Sequence, residues 1–368
     1  MEYKNHLKER LSKLIFLEIN KKILEENLNI EGLQDLKEDL FLPLSPEYIA
    51  DNITKDLTKE LPFGEFVKGM YFVLGADRSF GQKELYRRIL ISLKRDSVIK
   101  GLVVKLLKDE QSEEALIYLL GLYHVHGEDD VLLNALSILE EVSLKMEMYR
   151  DALLEYAEEA IGRNLKEGYL FKGSVLRLKG NFEGALTNLR EYVRLGGEEI
   201  PEITSEIEFL DRKVRILEGE EILYEDPKRF LELILPILNR EEDNPRLLLM
   251  IGIAYRLLEN HEKAVYYLNE ALAIDNAYVD VLNELGINYA AIGDYPKAIN
   301  YFHALFEQIR TIEILTNLIM CYINIGDYKA AQDHIAIAEL MDSDDEILLQ
   351  IKKYMENLKE NQNKKPLN

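Results

Sequence analysis

Residues 247–275 read LLLMIGIAYRLLENHEKAVYYLNEALAID, and two later stretches of the chain share this layout. Residues 281–308 read VLNELGINYAAIGDYPKAINYFHALFEQ, and residues 314–342 read ILTNLIMCYINIGDYKAAQDHIAIAELMD. In each stretch, apolar residues recur at intervals of three and four, which is the pattern of an amphipathic helix. A short polar break divides each pattern in two. Each stretch therefore predicts two helices joined by a tight turn.

Alignment of the three stretches places small and apolar residues in register. The aligned positions are Gly252, Gly286 and Ile319; then Tyr255, Tyr289 and Tyr322; then Ala264, Ala298 and Ala331; then Leu268, Phe302 and Ile335. Successive units are 34 and 33 residues apart, which is the length of two helices of about fourteen residues with their turns. A small residue on each helix lets its neighbour pack closely, and each helix pair covers apolar surface left by the previous one.

This layout resembles the tetratricopeptide-repeat family over residues 245–345. Gly293 and Gly326 stand where the first helix of a unit ends and where a left-handed residue is favoured. The family's early tryptophan is replaced by leucine, and Asn276 stands in place of its closing proline. The resemblance implies an all-α fold, an α-solenoid of antiparallel helix pairs wound into a superhelix, with a helical N-terminal region.

Weaker copies of the pattern lie upstream. Ala115, Ala152 and Ala185 repeat the second-helix alanine, and Gly173 precedes Ala185 by the same twelve residues. In the first part of the chain, Leu7 to Glu18 fit one amphipathic helix without the repeat signature. The predicted organisation is a helical N-terminal region (1–77), degenerate repeats (78–200), a degenerate repeat with a long connecting helix (201–244), three tetratricopeptide-like repeats (245–345), and a capping helix with a frayed tail (346–368).

Composition limits the classes of function. The chain has 368 residues, 47% of them hydrophobic, and a formal net charge of −22. Such an acidic protein disfavours nucleic acid and anionic membranes as partners, because phosphate contacts need clustered lysine and arginine. The N-terminus has no apolar signal segment and no apolar run is long enough to span a bilayer, so we expect a cytoplasmic protein. The one cysteine, Cys321, lies in an apolar run and predicts a buried side chain.

Residue patterns that could support chemistry are weak, and we expect no catalytic activity, no cofactor and no metal. A phosphate loop at Gly75 to Glu84 fails because five residues separate the glycines and Gln82 intervenes before the lysine. His124 and His126 precede the sequence Gly-Glu-Asp-Asp, but residues two apart on a helix point to different sides. That stretch is interpreted as a loop between helices, with a metal site as the weaker alternative.

The resemblance also implies where a partner binds, because the first helices of such an array line its concave face. The family's contact positions fall in this sequence on Arg246, Leu249, Ile253, Arg256, Asp280, Asn283, Ile287, Thr316, Met320 and Asn324. Some family members hold carboxylate-ended tails with lysines and asparagines, but the basic members of that set are missing here. We therefore expect a groove for a peptide segment or partner protein of another kind.

One stretch departs from the acidic character of the chain. From Arg78 to Lys108 there are nine basic and two acidic residues, a balance of +7, whereas residues 245–345 carry −9. The plain interpretation is a set of solvated helix faces, which could meet an acidic face of the same molecule or of a second copy. The alternative is a regulatory or nucleic-acid-associated module that docks through this stretch, with its patch at Arg87, Arg88, Lys94 and Arg95. The leading prediction is a non-enzymatic interaction scaffold, with self-association as a further alternative.

Overall fold

The computed structural model describes residues 2–28, 39–52, 62–241 and 243–363, and the chain divides into two compact units. Unit 1 is Met1–Asp211 and unit 2 is Arg212–Asn368. The all-α solenoid class is confirmed. Residues 364–368 of the predicted frayed tail lie outside the described residues.

Unit 1 is built from helices and one pair of antiparallel strands. Its helices are α1 (Glu2–Leu11), α2 (Lys21–Leu28), α3 (Pro46–Asp51), α4 (Phe63–Ala76), α5 (Lys83–Leu93), α6 (Asp96–Lys108), α7 (Ser112–His126), α8 (Asp129–Lys145), α9 (Arg150–Gly162), α10 (Glu167–Leu178), α11 (Phe182–Arg194) and α12 (Pro201–Ile222), the last of which contains the division between the units. Its strands are β1 (Ile15–Ile19) and β2 (Leu40–Leu44).

The strand pair corrects the sequence prediction for the N-terminus. The helix predicted from Leu7 to Glu18 ends at Leu11, and residues 15–19 pair with residues 40–44 in the register Ile15 to Leu44. Short apolar runs fit helix and strand alike, and the choice depends on a partner distant in sequence. Here β2 supplies the hydrogen bonds and packs its buried leucines against α4.

Helix α7 lies at the centre of unit 1. Helix α4 crosses it so closely that the two backbones touch at the crossing point. A Cβ built on Gly75 would lie 1.8 Å from the carbonyl oxygen of Ile117, and one on Gly121 would lie 2.1 Å from that of Tyr71. The two helices therefore meet backbone to backbone. Such contact is available only to glycine at both positions, and it fixes how α4 lies on α7.

Unit 2 contains the regular array. After α13 (Pro227–Ile234) and a short 3₁₀ helix (Leu235–Arg240), its helices are α14 (Pro245–Leu257), α15 (His261–Ile274), α16 (Val279–Ala291), α17 (Tyr295–Gln308), α18 (Ile312–Ile325), α19 (Tyr328–Met341) and α20 (Glu346–Asn363). Side-chain caps begin α14, α15, α17 and α19: Asn244, Asn260, Asp294 and Asp327 each accept a hydrogen bond from a backbone N–H three residues on. Gly293 and Gly326 end first helices with φ of 84° and 81°.

The glycine on the first helix of the first two repeats is explained by its partner helix. A Cβ on Gly252 would lie 2.6 Å from Leu268, and one on Gly286 would lie 2.6 Å from the ring of Phe302. The same relation holds upstream between Gly173 and Leu189, at 3.0 Å. The residue sixteen positions later thus packs over the glycine in two regular units and in a degenerate one.

Aromatic stacks mark the first two repeats. Tyr255 lies on Tyr267 and Tyr289 lies on Tyr301, each pair with ring centroids 5.5 Å apart and planes at 6°. The third repeat replaces the second tyrosine with His334, which lies 5.0 Å from Tyr322. His303, on helix α17 of the second repeat, joins this pair: its Nε2 lies 2.7 Å from the Tyr322 hydroxyl, and its ring lies 5.5 Å from that of His334, so a histidine pair forms between the second and third repeats.

This histidine pair should make the stability of unit 2 pH-dependent. Burial, and then the neighbouring His334, lower the pKa of His303, while Glu307 opposes them. A lowered histidine pKa means that the unfolded chain binds the proton more readily than the folded one. The contribution of neutral His303 to the free energy of unfolding is therefore complete above about pH 6.5 and is lost as the pH falls below it. We expect the Tm to fall between about pH 7.5 and about pH 5.5, and to fall less in His303→Gln. An equal fall in both proteins would contradict this assignment.

Candidate partner-binding groove

An open groove of about 650 Å³ lies beside the first helices of the first two repeats. The residues that line it are Glu220, Leu223, Tyr224, Arg246, Leu249, Met250, Ile253, Tyr278, Asp280, Asn283 and Glu284. Five of the predicted contact residues are among them, namely Arg246, Leu249, Ile253, Asp280 and Asn283. Their spacing on α14 and α16 turns them toward one side, because residues three and four apart share a helix face.

The floor of the groove is apolar and its rim is polar. Leu223, Leu249 and Ile253 are between 3% and 8% exposed, whereas Tyr224 is 68% exposed. On the rim, Arg246 Nη2 lies 3.0 Å from Glu220 Oε1, Asp280 is exposed, and the Asn283 amide is half-buried. A groove of this kind offers apolar contact below and directional hydrogen bonds above.

Arg256, also predicted to contact a partner, is held by the neighbouring repeat. Its Nε donates to Glu284 Oε2 at 2.6 Å and its Nη2 donates to Glu284 Oε1 at 3.2 Å. The pair joins α14 to α16, and Glu284 is only 8% exposed. A bidentate contact between arginine and a carboxylate is among the stronger side-chain interactions. Arg256 therefore fixes the wall of the groove.

Removing one partner of the Arg256–Glu284 pair should lower the free energy of unfolding more than removing both partners does. We expect Arg256→Met to lower the free energy of unfolding by about 2 kcal/mol, because Glu284 keeps its burial and loses its cation. The double variant Arg256→Met/Glu284→Leu should recover most of that loss. Urea titration of the four proteins of the double-mutant cycle measures both effects. A double variant less stable than Arg256→Met would contradict the interpretation.

The remaining predicted contacts, Ile287, Thr316, Met320 and Asn324, are all in described ranges and do not line this groove. Thr316 is 5% exposed and its hydroxyl donates to the carbonyl of Glu313. Met320 and Asn324 are exposed one turn apart on α18, and Ile287 is half-buried on α16.

The groove includes residues that the sequence analysis missed. Glu220, Leu223 and Tyr224 come from the end of α12 and the turn that follows it, outside the regular units. A long helix before the array was predicted, but its contribution to the groove was not. No local pattern in the sequence marked them, because the exposure of Tyr224 beside the buried Leu223 is a property of the fold.

The side chains of the predicted basic patch, which lie in unit 1, do not share one role. Arg87 donates from Nε and Nη2 to the carbonyl of Val125, at 3.3 and 3.2 Å, and so ties α5 to the end of α7. Lys94 and Arg95 are exposed between α5 and α6, and Arg88 is exposed on α5.

The histidine cluster considered for metal binding is part of the packing of unit 1. His124 Nδ1 lies 2.6 Å from the carbonyl oxygen of Leu74, and its Nε2 lies 3.1 Å from the Tyr156 hydroxyl. Burial lowers the pKa of His124. Across the described ranges, no group of three or more histidine, cysteine or acidic side chains is placed to hold a metal ion.

Cys321 is buried on α18, and burial raises its pKa to about 11. The thiol is therefore protonated at neutral pH and packs as a small apolar side chain, as its sequence context predicted. None of the helices in the described ranges combines the length and the apolar character that crossing a bilayer requires.

Comparison with known proteins identifies the repeat. A family model of the tetratricopeptide repeat matches residues 245–278, which contain α14 and α15. No curated protein sequence matches the chain.

Solved structures with similarity to the chain include three repeat proteins. The MamA protein is 19% identical over 48% of this chain and 92% of its own, with a TM-score of 0.31. TTC0263, a thermophilic tetratricopeptide-repeat protein from Thermus thermophilus, is 19% identical over 52% and 97%, with a TM-score of 0.30. YrrB, described as a repeat protein with an unusual peptide-binding site, is 16% identical over 68% and 97%, with a TM-score of 0.29.

The matched unit and its two successors share their helix pairs and the side-chain caps of their second helices, and the first two units share the glycine under the second helix. Residues 245–278 are therefore a tetratricopeptide repeat, and the two units that follow repeat its layout.

Proposed function

We propose that the protein is a non-enzymatic interaction scaffold that binds a peptide segment or a partner protein in the groove of unit 2. The observation that carries the proposal is the groove itself, where Leu249 and Ile253 form an apolar floor beneath Asp280 and Asn283. An open groove suits an extended or helical segment that inserts side chains into the floor and pairs its backbone with the amide.

The rigidity of the groove supports the same function. The partly buried pair of Arg256 and Glu284 holds α14 against α16. Walls that are fixed before binding lose little conformational entropy when a partner arrives. The groove therefore has the properties of a pre-formed receptor for a chain segment.

A selection experiment with matched surface variants tests the proposal. Linear peptides displayed on phage are selected against the full chain, and their affinities are measured by fluorescence anisotropy. Asp280→Arg on the groove rim and Asn283→Tyr above its floor should each weaken the selected peptides by about tenfold or more.

The matched control is Glu262→Arg, which makes the same change of charge at an exposed position on the second helix α15. It should leave the affinity unchanged. Peptides that bind all four proteins equally, or a selection that yields no binder, would contradict the groove as the binding site. A reproducible turnover by the purified protein, abolished by one substitution, would contradict the non-enzymatic part.

A further inference from the structure

The solvent face of helix α6, in unit 1, carries aliphatic side chains that the described part of the fold does not cover. Val98 is 44% exposed, Val104 is 52% exposed and Leu107 is 36% exposed. The opposite face of the same helix buries Ile99, Val103 and Leu106 against the rest of the unit. Single exposed aliphatics are ordinary, but Val98 and Val104 lie three residues before and after Gly101 and form a small apolar surface around it, with Leu107 farther round the helix.

Exposed cations surround this surface. They are Lys94, Arg95, Lys100, Lys105 and Lys108. Lys100 lies 4.0 Å from Glu128, and no carboxylate of the described ranges lies within 4.0 Å of the other four. The chain has 67 acidic and 45 basic residues, so carboxylates are abundant, and most arginines elsewhere have one as a partner. The carboxylates Asp96, Asp109 and Glu110 lie at the two ends of the helix, so residues 94–110 keep an excess of two positive charges.

Gly101 lies at the centre of this surface. No contact with the described residues of this chain explains why glycine stands at this position. It is an interior residue of α6, where glycine is less favourable than alanine. A Cβ built on it meets nothing within 4 Å, whereas those on the helix glycines Gly121 and Gly252 meet a packed neighbour at once. Its helix-surface neighbours Ser97, Val98, Val104 and Lys105 are all exposed. A missing side chain at this point leaves the backbone open to close approach from outside.

We propose that this face of α6 binds an acidic amphipathic helix of a partner protein, which crosses α6 at Gly101. Helices approach most closely where a small residue lies at the crossing point. The partner's aliphatic residues would pack on Val98 and Val104, and its flanking carboxylates would lie near Lys94, Lys105 and Lys108. The inference does not depend on the groove of unit 2.

A helical protein segment fits these observations better than nucleic acid or lipid. Single-stranded nucleic acid needs free aromatic rings for stacking, but Tyr86 is fully buried and the ring of Phe80 packs between Phe16 and Tyr86. An anionic lipid surface uses cations and aliphatics but has no use for a small residue at one point. The lack of free aromatic rings thus argues against single-stranded nucleic acid, and Gly101 argues against a lipid surface.

The test is a selection from a displayed library of small helical bundles whose one exposed helix face is randomised, carried out on the full chain. The recovered binders are titrated against four variants. Gly101→Gln fills the crossing point, and Lys94→Glu/Lys105→Glu reverses the charge. Ser137→Gln, at an exposed interior position of α8, and Lys353→Glu, at an exposed position of α20, are the matched controls.

We expect the recovered faces to combine aliphatic residues with aspartate or glutamate. Their affinity should fall about tenfold or more in both α6 variants and stay unchanged in both controls. The Tm of Gly101→Gln should equal or exceed that of the wild type, because glutamine is the better helix former, so that lost binding is not lost folding.

Three outcomes would overturn the proposal. One is the recovery of neutral or basic faces only, or of binders that are insensitive to both α6 variants. Another is that phosphatidylserine vesicles or duplex DNA bind the wild type and lose binding in the α6 variants, while no helical binder does so. The last is that the wild type self-associates in sedimentation velocity and Gly101→Gln does not, because a second copy would then be the occupant.

Discussion

Replacement of Gly121 by alanine should lower the free energy of unfolding by about 3 kcal/mol. The added methyl group would lie 2.1 Å from the Tyr71 carbonyl oxygen, and this neighbour is backbone within helix α4. A flexible side chain could rotate away, but a helix carbonyl can move only if the whole helix shifts. Gly75 faces Ile117 in the same way, so that α4 and α7 would have to separate along their crossing.

Gly101→Ala is the matched control, because it is the same substitution in the interior of a helix of the same unit. With nothing within 4 Å of the new methyl group, alanine should raise the free energy of unfolding by about 0.5–1 kcal/mol. Urea titration followed by far-ultraviolet circular dichroism measures both variants. Opposite signs are expected, and a Gly121→Ala protein as stable as the wild type would contradict the backbone-to-backbone crossing.

Replacement of Phe302 by alanine should lower the free energy of unfolding by about 3–5 kcal/mol. The ring is 1% exposed and fills the space above Gly286, where a Cβ would lie 2.6 Å from it. Its loss opens a cavity between the two helices of the second repeat. Neither Gly286 nor Ala298 offers a side chain that could fill the space.

The first repeat supplies the control for this prediction. Leucine stands at the equivalent position, Leu268, above Gly252, and is fully buried there. Phe302→Leu should therefore cost less than about 1.5 kcal/mol, since the repeat geometry accommodates leucine. Thermal or urea unfolding that gives equal losses for the two substitutions would show that the ring does not fill the interior of the repeat.

The sequence predicted those parts of the fold that depend on local patterns. The position of glycine sixteen residues before a large apolar residue, the turn glycines Gly293 and Gly326, and the cap at Asn244 all follow from spacing within one repeat. The fold class could be inferred because a solenoid repeats one local rule.

Contacts between residues distant in sequence could not be predicted from local patterns. The strand at residues 15–19 depends on residues 40–44, and nothing within the first stretch distinguishes it from a helix. The sequence did not show that Arg256, a predicted contact for a partner, also pairs with Glu284, 28 residues later. Thr316 occupied a contact position of the family, but its side chain is buried and its hydroxyl is used within its own helix.

The candidate groove was likewise predicted only in part. Five of its residues on α14 and α16 were predicted from the family's contact positions, whereas Glu220, Leu223 and Tyr224 were not. Those residues belong to no regular unit, and only the fold brings them beside the array. On α6, the basic character was visible in the sequence, but the uncovered glycine at its centre was not.

Hydrogen exchange of the full chain, with and without a peptide obtained by selection, tests the central claim most directly. A segment bound in the groove should slow exchange in α14 and α16, the first helices of the first two repeats, and leave their second helices α15 and α17 unchanged. Protection confined to α15 and α17, or protection of unit 1 alone, would contradict the proposal that this protein binds its partner in the groove of unit 2.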